Sequence, residues 1–140
     1  MSAETFRDLL AAAPYARFLG VEAHGDDGRT AVMRYAQHLI GNPLLPALHG
    51  GSVAAFMELT ALAAVAAAAP RARPPKPVDV SVAYLRSGKP IDTFAHADLR
   101  KVGRRVAYVH VLAWQDDRTR PIAELGAHVL LAGATGVTSM

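Results

Sequence analysis

The spacing of apolar residues along this 140-residue chain changes period several times, and each change marks an element. In residues 3–12 (AETFRDLLAA), Phe6, Leu9 and Leu10 recur at helical spacing. Ser2 stands before them as an N-cap residue type, and Pro14 ends the run. A short leading helix is predicted there. Residues 18–23 and 30–36 carry strand patterns separated by His24-Gly25-Asp26-Asp27-Gly28, a cluster of turn formers, and so predict a hairpin. Residues 37–48 contain Gly41, Asn42, Pro43 and Pro46 and read as a loop. From 50 to 69 every residue is glycine or apolar except Ser52, Glu58 and Thr60, which predicts a long buried helix that Pro70 stops. A stiff basic connector, RARPPKP, follows over 71–77.

Four strand patterns come next, at 78–85, 92–101, 105–114 and 122–131, broken at Ser87-Gly88-Lys89-Pro90, at Gly103 and over 116–121. Helix, two strands, long helix and four strands make an α+β order with an antiparallel sheet, without βαβ units. In the last three strands the odd positions are small and apolar: Ala95, Ala97 and Leu99, then Ala107, Val109 and Val111, then Ala123, Ala127 and Val129. Such a face suits a sheet that curves closely around an alanine-rich helix. One domain over 1–132 is expected, with a loose tail at 133–140.

Composition narrows the class. Hydrophobic residues make up 51% and charged residues 19%, an apolar excess that points to a buried subunit interface. There is no cysteine, so neither a disulfide nor thiolate chemistry is available. Residues 1–10 hold acids in an amphipathic pattern and show no secretory signal, so a cytoplasmic protein is expected. The run 52–69 approaches a membrane span in length. Glu58 near its middle would cost on the order of 2.5 to 3.5 kcal/mol at bilayer depth, which favours a core helix and no membrane association. The net charge is +3, but the basic residues are scattered and aromatics are only 6%, which speaks against nucleic acid as the partner.

The chemistry concentrates at Leu48-His49-Gly50-Gly51 and Glu58. The first amides of a helix have no internal acceptor and bear the positive end of its dipole, and glycines leave them unshielded. The amide of Gly50 or Gly51 can therefore stabilise an oxyanion. Glu58, a carboxylate in an apolar run, has two readings: a structural pair with Arg34 or another arginine, or a catalytic base. Eight residues of helix place Gly50 and Glu58 about 12 Å apart, too far to act on one carbonyl carbon. If both act, they come from different subunits, with two helices antiparallel about a twofold axis.

The stretch Leu48-His49-Gly50-Gly51-Ser52-Val53-Ala54-Ala55-Phe56-Met57-Glu58, with Tyr84-Leu85-Arg86 and Arg100-Lys101-Val102-Gly103-Arg104-Arg105, resembles the hotdog-fold thioesterases of the phenylacetic-acid-degradation and 4-hydroxybenzoyl-CoA thioesterase type. That resemblance implies a curved antiparallel sheet wrapped around a long central helix. It also implies hydrolysis of an acyl-CoA or aryl-CoA thioester. The Gly50 amide would polarise the carbonyl, and Glu58 of the neighbouring subunit would attack it or activate water. His49 takes the place of a positioning residue, with a structural hydrogen bond in the loop as the alternative. Family members often carry Asn or Gln six residues before the histidine, where this chain has Pro43, with Asn42 one place further off. A Ser or Thr four after the acid is replaced by Leu62, with Thr60 two after it.

Arg100, Lys101, Arg104 and Arg105 at one turn, with Arg86 and Lys89 at another, are candidates for the phosphates of CoA, against the alternative of solvated turns. Phe56, Met57 and Tyr84 are candidates for the acyl pocket. His96, His110 and His128 fall on one face, with His96 directly across from His110 if the turn centres on Gly103. That face, with Tyr108, Leu112 and Trp114, is expected to pack in a homotetramer and not to bind metal. No metal or redox cofactor is implied. Two alternatives to the hydrolase remain: an acyl-thioester hydratase or dehydratase on the same fold, and a non-catalytic acyl-CoA-binding module.

Overall fold

A computed structural model of the chain describes residues 2–71 and 73–131. The capping role expected of the Ser2 side chain and the tail expected over 133–140 fall outside what it describes. Helix α1 spans Ser2–Ala12 and buries Phe6 and Leu10. Pro14 then begins a second helix, α2 (Pro14–Leu19), where a strand was expected from residue 18. Proline has no amide hydrogen to lose at a first helical position, and Gly20, with φ +76°, closes this short helix.

The hairpin β1 (Val21–Ala23) and β2 (Thr30–Met33) follows as expected. Strand β2 stops short of residue 36 because the Arg34 amide donates to Gly20 O (2.9 Å) and the Tyr35 amide to Asp92 Oδ1 (2.7 Å). The expected loop contains a 3-10 turn (Gln37–Leu39) and a small pair of strands, β3 (Ile40–Asn42) and β4 (Ala47–Leu48). These lead directly into α3 (Gly50–Ala68).

The last four strands are β5 (Lys76–Tyr84), β6 (Thr93–Val102), β7 (Val106–Trp114) and β8 (Ala123–Leu130). The main sheet runs β1-β2-β6-β7-β8-β5, with every neighbouring pair antiparallel. Strand β5 precedes β6 in sequence but pairs with β8, so it forms the far edge. Helix α3 lies across the inner face, where Ala95, Ala97, Ala107, Val109, Val111, Ala123 and Val129 are fully buried. Leu99, at the end of that row, is only partly covered. Small residues on helix and sheet let the two approach closely, and Phe56 and Met57 fill the remaining space with no exposure.

By length and composition α3 could cross a membrane, yet half of that window is buried against the rest of the chain. A helix apolar on every side needs cover all round. The sheet and α1 cover most of α3, and a stripe at Ala54, Ala55, Glu58, Leu59, Leu62 and Ala66 stays half-exposed.

The register on the outer face differs from expectation. His96 pairs with Leu112, and His110 with Asp98: the turn centres between Arg104 and Arg105 and not on Gly103, and a bulge between Leu99 and Lys101 takes back one position, for a net shift of two. An even shift preserves parity, so the histidines keep one face but lose direct opposition. Each has a carboxylate of its own: His96 Nδ1 lies 3.4 Å from Asp27, His110 Nε2 2.9 Å from Glu124, and His128 Nδ1 2.9 Å from Asp79. Among the described residues, no group of three or more His, Asp or Glu is placed to hold a metal ion.

Candidate active site

The start of α3 is built by His49, the helix N-cap. Its backbone N–H donates to Leu39 O (2.8 Å), which ties the cap to the turn before β3. Its carbonyl accepts from the amides of Ser52 (3.0 Å) and Val53 (3.3 Å). Its ring accepts the Gly51 amide at Nδ1 (2.9 Å), which leaves the ring proton on Nε2. A Cβ on Gly51 would lie 2.9 Å from that ring, so the contact requires glycine.

These bonds choose between the two candidate donors. The Gly51, Ser52 and Val53 amides are all engaged by His49, and the Gly50 amide has no acceptor among the described residues. It belongs to the same peptide as the His49 carbonyl, which points into the helix, so the N–H points outward along the dipole.

Gly50 opens onto a cavity of about 350 Å³. Its apolar walls include Leu48, Val53, Leu85 and Ile122, with Tyr84 and Arg86 among its polar ones. The loop between β5 and β6 is held in place from both sides. Gly88 O accepts the Leu48 amide (3.0 Å), and the buried Gln115 side chain accepts the Lys89 amide and donates to the Lys89 carbonyl, each at 2.9 Å. Sequence reasoning missed Gln115, Gly88 and Ile122, whose roles depend on contacts between distant segments.

Glu58 lies two turns along α3, half-exposed in its apolar stripe, with no hydrogen bond or ion pair among the described residues. Arg34, one partner considered for it, is instead engaged by Asp92 (3.1 Å) and Glu22 (3.6 Å). The other candidates divide. Tyr84 and Arg86 border the cavity, and Arg86 Nη1 donates to Pro121 O (2.6 Å). Phe56 and Thr60 are wholly buried, and the Thr60 hydroxyl donates to Phe56 O within its own helix (2.8 Å). Asn42 Oδ1 accepts the Leu44 amide at the exposed tip of the β3–β4 turn (3.0 Å).

Arg100 is paired with Asp98 (2.6 Å). Lys101, Arg104 and Arg105 surround the β6–β7 turn beside Leu131, at the end of the sheet remote from Tyr84. The length of β8 separates the two ends by about 25 Å. The basic cluster and Gly50 therefore do not meet within one chain.

A long helix on a six-stranded antiparallel sheet, with a bare glycine amide at the helix start, defines the hotdog class. The family model of the thioesterase superfamily matches residues 45–122, which include helix α3, nearly all of the cavity lining and strands β5, β6 and β7. The chain belongs to the thioesterase superfamily. A protein of solved structure from Chromobacterium violaceum is 35% identical, with 91% of this chain and 90% of that one covered and a TM-score of 0.72. A phenylacetic acid degradation-related protein from Ralstonia eutropha (20% identity, 91% and 99% covered, TM-score 0.78) shares the fold. So does a thioesterase from Haemophilus influenzae (16% identity, 99% and 96% covered, TM-score 0.82). No curated protein matches the chain in sequence.

Proposed function

We propose that this thioester hydrolase acts on acyl-CoA or aryl-CoA thioesters at sites shared between two subunits. The observation that carries the reading is the Gly50 amide, the one N–H of the first turn of α3 left without an acceptor among the described residues, aimed beside an apolar cavity. A thioester carbonyl oxygen accepting from it gains a donor that is already in place when negative charge develops. Glu58 of the partner subunit serves as base or nucleophile. With Glu58 as base, it takes a proton from water, the water oxygen bonds to the carbonyl carbon, and the tetrahedral oxyanion rests on Gly50. The C–S bond then breaks, and the thiolate leaves to take up a proton.

The second subunit has a place to sit. The half-exposed stripe around Glu58 offers apolar contact, and edge strand β5 has no strand on its outer side among the described residues and leaves Val78, Val80 and Tyr84 exposed. Antiparallel helices with Gly50 opposite the partner's Glu58 would send the partner's helix about 15 Å beyond Gly50. The partner's basic turn would then lie on the side of this chain's cavity. In this arrangement the partner's Arg100, Lys101, Arg104 and Arg105 meet the carrier's phosphates, while Arg86 lies nearer the thioester.

The test is thiol release from short, long and aromatic CoA esters by the wild type and by Glu58→Gln. Wild-type turnover is expected with at least one class, and Glu58→Gln should lose it by at least about 100-fold while binding persists. Equal turnover by the variant would remove Glu58 from the chemistry. Tight binding of every ester without thiol release would make the protein a binding module.

A further inference from the structure

Gly50 is a weak mount for a catalytic donor, because nothing intrinsic to glycine fixes the angles between its two peptides. The first peptide, His49–Gly50, is held by its carbonyl through the Ser52 and Val53 amides. The second, Gly50–Gly51, is held at both ends. Its N–H donates to His49 Nδ1 (2.9 Å), and its carbonyl accepts from the Tyr84 hydroxyl (2.9 Å), 34 residues away at the end of edge strand β5.

The Tyr84 ring also lies against the Gly50 Cα. A Cβ added there would stand 3.3 Å from ring carbons Cε1 and Cζ and 3.4 Å from the hydroxyl. Tyr84 is 56% exposed and forms part of the cavity wall, so the contact is made at the mouth of the site and not in the core.

We infer that Tyr84 is a positioning residue for the Gly50 oxyanion donor, its hydroxyl and the His49 ring clamping one peptide from opposite sides and so removing the rotational freedom of Gly50. The inference rests on the thioesterase reading above and adds a residue to it that acts through Gly50. A donor that must be reoriented as charge develops loses the advantage of being fixed beforehand, and misplacement on the order of 1 Å can cost about 100-fold. Tyr84→Phe keeps the ring, the wall and the Gly50 contact, and removes only the clamping bond.

The experiment compares wild type and Tyr84→Phe in steady-state thiol release, in thermal melting, and in the infrared carbonyl stretch of a bound ketone analogue with CH2 in place of the thioester sulfur. The expected result is a fall in kcat and kcat/KM together of about 10- to 100-fold, with KM little changed and melting close to wild type. The carbonyl stretch, lowered on binding to the wild type, should move back toward its free value in the variant. A variant with wild-type kcat, with its loss confined to KM, or with an unchanged carbonyl stretch would overturn the clamp while wild-type thiol release left the enzyme reading standing. Absence of thiol release by the wild type would overturn both.

Discussion

A glycine amide at a helix start is useful as a donor only if its neighbours are satisfied elsewhere. His49 brings this about with three groups at once: its carbonyl takes Ser52 and Val53, its ring takes Gly51, and its own amide goes to Leu39. The motif His-Gly-Gly was legible in sequence, but the choice of Gly50 over Gly51 by geometry needed the ring contact. Outside the site, His96 shows a residue-level consequence that can be measured. Burial lowers its pKa from the ordinary histidine value; Asp27 and then Asp98 oppose this, while Arg118 and Arg29 add to it. The folded protein therefore resists a proton that the unfolded chain accepts near pH 6.5. That contribution to stability is complete above about pH 6.5 and is lost as pH falls toward the lower folded value. Between pH 7.5 and 5.5 the melting temperature should fall more steeply for the wild type than for His96→Gln, and parallel slopes would contradict the assignment. A second loss at lower pH is expected from Asp27. Burial raises its pKa, but the Thr30 hydroxyl and the Arg29 and Thr30 amides outweigh that and hold it below the usual carboxylate value.

Helix α3 and the strands around it were readable because long periodic runs, a stop at Pro70 and alternation in β6, β7 and β8 all agree. The shorter elements were not. Pro14 can end one helix or begin the next, and here it does both. Strands β3 and β4, of three and two residues among glycine and prolines, carry no period to detect. The β6–β7 turn, centred between Arg104 and Arg105, and the one-residue bulge after Leu99 together altered the histidine register by an even step, without disturbing which face they share. The same limit applies to Phe56. A helix pattern places it near the acid, but only packing shows it fully buried under the sheet. Phe56→Ala is accordingly expected to destabilise the fold by about 3 to 5 kcal/mol in chemical denaturation. A stable variant with altered acyl preference would return Phe56 to the substrate pocket.

At the scale of the whole molecule, one chain holds every part of the proposed site, but not in one place. The donor and acid lie about 12 Å apart on α3, and the basic turn lies about 25 Å from the cavity. The stripe around Glu58 and the open edge of β5 are what a second copy would cover, and the apolar composition is in keeping with such an interface. Antiparallel association would bring the proposed donor, the acid and the basic side chains of the β6–β7 turn together twice per dimer. The outer sheet face, with its three histidine–carboxylate pairs, is where a further dimer would pack if a tetramer forms. Sharing can be tested by complementation between Glu58→Gln and Gly50→Pro. Proline is accepted at a first helical position and His49 before it is already extended (φ −67°, ψ 127°), so this change removes the N–H with little demand on the backbone, although its Cβ, 3.3 Å from the exposed Tyr84 ring, requires that ring to give way slightly. Each variant alone should be inactive. Co-expressed under different tags and purified as the mixed dimer, they should regain one intact site of the two and about half of wild-type thiol release. A mixed dimer as inactive as its parents would contradict the shared site.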